Sequence, residues 1–268
     1  MPGYYKPHVI IDFKSADRDR GTIEEPSFSL THQIKFSQSP TKQYFMRLEN
    51  ILIPKSFYDI DSTNNTFIIQ ESSANTAVIP EGNYTITELL TELETQLDTN
   101  TNDGNDFTLS YDDITNKVTI SFVAGGTATI DSIANGSTLN DLLGFGKSSF
   151  GLDDNQIVLA DGVDSEATYA VDLDTKSYVQ VETNITSANY YDPGIQKHIG
   201  AIVPINVDRN EKQYQENTEA HLTQLNNKGP ITSVNFKLKD ENDNIIDLNG
   251  VEWSCTMAIY ELTEMHKF

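Results

Sequence analysis

Between Ile231 and Leu262 (ITSVNFKLKDENDNIIDLNGVEWSCTMAIYEL) apolar and polar residues take turns. Val234, Phe236 and Leu238 alternate with Asn235, Lys237 and Lys239, the period of two that marks a half-buried strand. After a polar turn, Val251, Trp253, Cys255, Met257 and Ile259 repeat the alternation against Glu252, Ser254 and Thr256. The only Trp and the only Cys of the chain thus share one apolar strand face, which implies core packing. The same reading predicts strands over His8 to Phe13, Pro26 to Phe36, Tyr44 to Ile53 (stopped by Pro54) and Thr66 to Gln70. Strands resume at Tyr169 to Leu173, Tyr178 to Thr183, Gly200 to Val207 and roughly Ala220 to Leu225. Pro, Asn and Ser punctuate them as turn residues do.

The period changes after Pro80. Ile86, Leu89, Leu90, Leu93 and Leu97 fall on one helical face. Thr85 and Glu88 have the spacing of a capping box, and Tyr84 is placed to staple onto Leu89. A hairpin follows, with Phe107, Leu109 and Tyr111 on one arm, Asp112 to Lys117 as the turn, and Val118, Ile120 and Phe122 on the other. It supplies a surface for the leucine stripe, and Gly125-Gly126 ends it. Thr138 to Leu143 reads as a short second helix capped by Thr138 and ended by Gly144. Residues 75–167 therefore form a small α+β unit inserted into a mainly β chain. Residues 1–74 with 168–268 hold about eight strands, which suits a single jelly-roll β-sandwich and is too little for two stacked ones.

At 268 residues the chain can bury one large or two modest cores. No apolar run reaches the roughly 20 residues that span a bilayer. The N-terminal MPGYYKPHVIIDF lacks the basic and apolar regions of a signal peptide. One Cys excludes a disulfide framework and a thiolate zinc site. The net charge of −22 changes the picture most, because it is unevenly placed. Residues 1–74 carry 9 acidic and 8 basic groups, residues 75–174 carry 18 and 2, and residues 175–268 carry 13 and 8. The middle block is a solvated, self-repelling surface, and it argues against direct nucleic-acid binding because it repels phosphate. The nearly neutral flanks suit assembly better.

No catalytic constellation rises above this background. His8, His32, His198, His221 and His266 are scattered, without metal-ligand spacing. Cys255 sits mid-strand on the core face without an evident base. Asp240 to Asp247 (DENDNIID) has acidic spacing but places Ile245 where a calcium-binding EF-hand needs Gly, and Val251 where it needs Glu. Gly125-Gly126 and Gly144-Phe145-Gly146 are not followed by the residues of a phosphate-binding loop. Asp112-Asp113 and Asp153-Asp154 are pairs of a kind that 40 acidic residues produce by chance, with turn or solvated-face roles. No residue is singled out as catalytic, cofactor-binding or metal-ligating, no cofactor is expected, and the chain reads as a non-enzyme.

Several segments, in order, resemble the penton (vertex) capsid proteins of double-jelly-roll DNA viruses, in particular virophages and polinton-like viruses. They are Tyr44–Ile60 (YFMRLENILIPKSFYDI), Val78–Leu97 (VIPEGNYTITELLTELETQL), Leu142–Phe145 (LLGF), Tyr178–Ile185 (YVQVETNI) and Ile245–Leu262 (IIDLNGVEWSCTMAIYEL). The specificity lies in the order of the segments more than in any one of them. The resemblance implies a single jelly roll that forms homopentamers at icosahedral five-fold vertices of a double-stranded DNA virus. Trimeric double-jelly-roll major capsid proteins would surround it, the insertion would face outward, and the protein would be located in the virion. Other minor capsid proteins or a host receptor are further partners the family allows. The arm Met1–Pro7, with Tyr4, Tyr5 and two prolines, either ties neighbours together or frays.

Two other functions compete with the penton reading. One is a receptor- or glycan-binding spike, or a cement protein, on the same β-sandwich. The other is a polysaccharide hydrolase, which would need two carboxylates at catalytic separation in a cleft.

Overall fold

Buried apolar side chains gather into two separate cores, one in residues 1–57 with 176–268 and one in residues 58–175. The computed structural model describes residues 4–37, 39, 42–101, 103–123, 127–130, 136–146, 157–187, 190–192, 195–216, 222–225 and 229–263. The chain opens with β1 (Tyr4–Lys14), β2 (Ser27–Ile34) and β3 (Lys42–Pro54). The intervening unit contains β4 (Thr66–Gln70), β5 (Ala74–Val78), α1 (Ile86–Asn100), β6 (Asp106–Asp112), β7 (Lys117–Val123), β8 (Thr127–Ile130), α2 (Asn140–Leu143), β9 (Ile157–Ala160) and β10 (Ser165–Glu166). The first unit resumes with β11 (Tyr178–Thr183), β12 (Tyr190–Asp192), β13 (Ile195–Lys197), β14 (Ile199–Pro204), β15 (Lys212–Glu216), β16 (Thr223–Gln224), β17 (Ile231–Lys239) and β18 (Ser254–Thr263).

In the first unit one sheet runs β1-β18-β3-β15, with β16 also on β3, and the other runs β14-β11-β17-β2. Leaving aside the short β12, β13 and β16, this unit has eight strands, and their antiparallel pairings are nested. The first pairs with the eighth, the second with the seventh, the third with the sixth and the fourth with the fifth. That is a jelly roll, and the fold class is mainly β. The second unit occupies the connection between its third and fourth strands.

Alternation along each strand fills the space between the sheets. Met46, Leu48, Ile51, Ile53, Met257 and Ile259 come from one sheet, and Val179, Val181, Val234, Phe236 and Leu238 from the other, each at most 1% exposed. The step from Leu48 to Ile51 breaks the period because Leu48 pairs with Met257 and Asn50 with Thr256, which leaves Glu49 as an extra residue on β3. This bulge explains why the end of β3 is apolar at irregular spacing. Phe13, Phe28, Phe236 and Trp253 form the aromatic centre, with ring centroids 4.9–6.2 Å apart. Trp253 lies just before β18, held by its indole donating to the Ile23 carbonyl at 2.7 Å and its N–H donating to Ser15 Oγ at 3.0 Å. Val251, expected on the same face, lies outside the strand and is exposed. The arm differs as well. Tyr4 to Pro7 pair with Thr263 to Tyr260, so these residues extend β1, and the register shifts between Pro7 and Val9, where proline has no N–H to give the ladder.

In residues 58–175 one sheet runs β5-β4-β8-β9 and a second runs β10-β7-β6. Leu89, Leu90, Leu93 and Leu97 of α1 are buried in the core these elements share, among Phe67, Ile69, Phe107 and Phe122. The helix begins where the capping box places it, with Thr85 Oγ1 accepting from the Glu88 N–H and the Glu88 carboxylate accepting from the Thr85 N–H. Tyr84 lies half-buried against the same core.

The unit is larger than 75–167, because β4 pairs with β5 and β8 and its Phe67 and Ile69 belong to the second core. It contains 21 acidic and 2 basic residues. Tyr169 to Leu173 is not a strand. Its N–H groups reach Gly144 O, Asn116 O and Leu142 O, which are loop and helix-end atoms, so no ladder forms. That approach requires Gly144 (φ +81°), where a Cβ would lie 2.2 Å from Tyr169 O. Thr138 does not cap α2, because its hydroxyl accepts from the Thr66 N–H at 3.1 Å instead.

Candidate functional site

The residues with catalytic or metal-binding chemistry are dispersed and occupied. His8 Nε2 lies 3.2 Å from Lys35 O and its ring stacks near Phe36 and Tyr44. His198 Nδ1 lies 2.7 Å from Thr186 O. His32 is exposed on β2, and His221 and His266 lie outside the described residues. Cys255 is buried against the core, and burial, with the nearby Asp12 charge, pushes its thiol far above the ordinary value, so it is not a nucleophile. Asp112 accepts from the Ile114 N–H and the Thr115 hydroxyl, a turn role. Asp153-Asp154 lies outside the described residues. Asp240 accepts from the N–H groups of Asn242 and Asn244 at 2.9 and 2.8 Å, which makes DENDN a strand-connecting turn. Among the described residues no three His, Cys, Asp or Glu side chains group to hold a metal.

The jelly roll has organised surfaces instead. The outward positions of β1, β18, β3 and β15 line up in rows. One row is Lys14, Ser254, Leu52 and Tyr214, the next is Asp12, Thr256, Asn50 and Glu216, and a third is Ile10, Ala258 and Arg47. Side chains link these rows. Thr256 donates to Asp12 at 2.6 Å and Tyr214 donates to Asn50 at 3.0 Å. Arg47 Nη2 donates to both Glu49 oxygens (2.8 and 2.6 Å) and to the Tyr260 hydroxyl (2.8 Å), with its guanidinium 5.2 Å from that ring's centroid. Tyr260 in turn donates to Glu49. Burial, then the Glu49 hydrogen bond and charge, raise the Tyr260 hydroxyl above its ordinary value. Ile10 and Tyr214 stand exposed beside this lattice. The bulge at Glu49 leaves Glu49 and Asn50 both on the outer face beside Arg47 and turns Ile51 inward, a placement that strict alternation along RLENI does not show.

The second sheet carries a comparable set. Lys239 bridges Glu182 (3.1 Å) and Asp243 (3.4 Å), Lys197 reaches Asp243 at 3.1 Å, and Lys237 reaches Glu25 at 2.9 Å. Burial opposes ionisation of Asp243, but the Lys197 hydrogen bond and the Lys239 and Lys197 charges outweigh it, and the carboxyl is held below its usual range. These charges are paired within the molecule, on β11 and β17, on the neighbouring β13 and in the turn after β17. Such faces fit protein contact better than chemistry on a bound substrate.

No protein-family model matches the chain, and no curated protein matches it. Among solved structures, the crystal structure of a selenomethionine-labelled mavirus penton protein matches over 97% of this chain and 100% of that one, with a TM-score of 0.51 at 11% identity. The chain has a penton-like fold. The likeness takes in the jelly roll and the inserted unit together. No helix among the described residues is long and apolar enough to cross a membrane.

Proposed function

We propose that this penton-like chain is a structural protein of a double-stranded DNA virus capsid. It forms homopentamers at icosahedral five-fold vertices, contacts a surrounding double-jelly-roll major capsid protein and carries out no enzymatic reaction. The observation that supports this most is the whole-length likeness to the mavirus penton protein, which includes the insertion between the third and fourth jelly-roll strands. The acidic inserted unit would face outward, since 21 acidic groups against 2 basic ones favour solvent and repel their copies in neighbouring subunits. A ring of identical subunits needs two different complementary patches on each, and the internally paired outer faces of the two sheets are candidates for such patches.

Native mass spectrometry with negative-stain imaging of the purified protein tests the reading. Five-membered rings are expected, alone or on mixing with the major capsid protein of the same virus. A strictly monomeric protein under both conditions overturns it, and a trimer replaces it with the spike reading.

A further inference from the structure

The C-terminal end of α1 gathers oxygen atoms around a buried carboxylate. Phe67, Ile69 and Glu71 share one face of the β4–β5 hairpin by alternation, and Asn75, paired with Ile69, lies on that face too. Because this face packs on the core, Glu71 is carried inside at 7% exposure and Asn75 at 1%. The last turn of α1 is joined to both. Asn75 Nδ2 donates to Leu97 O at 3.0 Å, and the C-cap residue Thr101 donates its hydroxyl to Glu71 Oε1 at 2.8 Å. Asn105, 5% exposed, donates Nδ2 to the same Glu71 oxygen at 2.6 Å and its N–H to Thr101 Oγ1 at 3.0 Å.

These bonds use the amide nitrogens. The side-chain oxygens of Asn75 and Asn105 are buried and accept no hydrogen bond among the described residues. A buried acceptor without a partner is unfavourable, and these two lie at one helix end, Asn105 bonded through its amide to Glu71 and Asn75 bonded through its amide to the last turn of α1. The field there is negative. A helix C-terminus carries the negative pole of its dipole, α1 has no basic residue in its last turn, and Asp98 and Asp103 flank the same end, bonded to Phe107 N and to Ser72. A water molecule would satisfy the oxygens but leave this field, whereas a cation answers both.

We propose that this cluster binds a calcium ion through the Glu71 carboxylate, the Asn75 and Asn105 side-chain oxygens and the Thr101 hydroxyl. Calcium takes about six to eight oxygens in flexible geometry, amide oxygens and waters among them, so three acidic ligands are not required and water completes the set, while magnesium demands a near-ideal octahedron. A single carboxylate in the set places the affinity at the weak end, with a dissociation constant on the order of 10⁻⁴–10⁻³ M.

Isothermal titration calorimetry and thermal unfolding of the full-length protein, at constant ionic strength, test the proposal with calcium, magnesium and potassium chlorides. Saturable one-site calcium binding is expected, with a rise in melting temperature beyond that given by magnesium. Glu71→Gln and Asn105→Ala should each abolish it. Asp112→Asn with Asp113→Asn, which removes two charges of the same unit elsewhere, should leave it intact. Equal effects of calcium and magnesium, or an undiminished calcium response in a folded Glu71→Gln protein, overturn the site. If neither site variant folds, absence of saturable calcium binding by the wild-type chain overturns it directly.

Discussion

Replacing Trp253 by Phe keeps an aromatic ring in the jelly-roll core and removes two identifiable things. The first is the indole donor to the Ile23 carbonyl, a bond of 2.7 Å. Leaving that acceptor unpaired costs about 1–3 kcal/mol. The second is the outer edge of the ring that meets Phe236 edge-on at a centroid distance of 5.7 Å. Part of an aromatic pair energy of about 0.5–1.5 kcal/mol goes with it. The total is roughly 1–4 kcal/mol, a large share of the ~5–15 kcal/mol that holds a domain folded. Trp253→Ala, which empties the position, should cost about 3–5 kcal/mol. Urea unfolding followed by circular dichroism measures the loss, and hydrogen exchange read by mass spectrometry locates it. Peptides from β1, β17 and β18 should lose protection, while peptides from residues 58–175 keep theirs, because that unit has its own core. A loss below about 0.5 kcal/mol would contradict the role assigned to the indole. Equal deprotection of both units would contradict the separation of the cores.

Further predictions concern single contacts. Thr85→Ala removes the hydroxyl half of the capping box, the acceptor for the Glu88 N–H, and should lower the stability of residues 58–175 by about 1 kcal/mol, seen as faster exchange in the first turn of α1. Asp243 has a native carboxyl held below the ordinary value of 3.8, so the unfolded chain takes up the proton first. Its contribution is complete above that value and disappears as acid titrates the native group, so Asp243→Asn should flatten the acid limb of jelly-roll stability between about pH 5 and pH 2. Urea midpoints across that range provide the measurement, and an unchanged limb would refute the pairing with Lys197 and Lys239. Cys255 should resist thiol reagents in the native protein and react fully in urea, because the buried thiol does not ionise.

The strands legible in the sequence are those with one wet face. β17 buries Val234, Phe236 and Leu238 and β18 buries Cys255, Met257 and Ile259 at every second position, and β6 and β7 alternate likewise in their hairpin. Strands without that contrast escape the period. β15 (KQYQE) has no aliphatic residue, and its place depends on the main chain of β3 from Asn50 to Pro54. β8 and β9 are four residues each, too short to show a repeat. The same limit misplaces the unit boundary. Thr66 to Gln70 reads as a strand but carries no mark of the sheet it joins, and only pairing with β5 and β8 assigns it to the inserted unit.

The surfaces and the oxygen cluster follow the same logic one level higher. Arg47 and Glu49 share the outer face by alternation, but Asn50 joins them there only through a bulge that exists opposite Thr256 and Met257. Glu71, Asn75 and Asn105 look like ordinary turn residues in a chain rich in Asn and Asp. What distinguishes them is burial. Alternation carries Glu71 and Asn75 inward from a hairpin end, and the loop after α1 brings Asn105 over them. A polar side chain in the interior must be matched by a partner, so a bare amide oxygen there carries information that the same residue on the surface lacks. The unmatched acceptors of Asn75 and Asn105 at the end of α1 are therefore a place where a ligand would add stability.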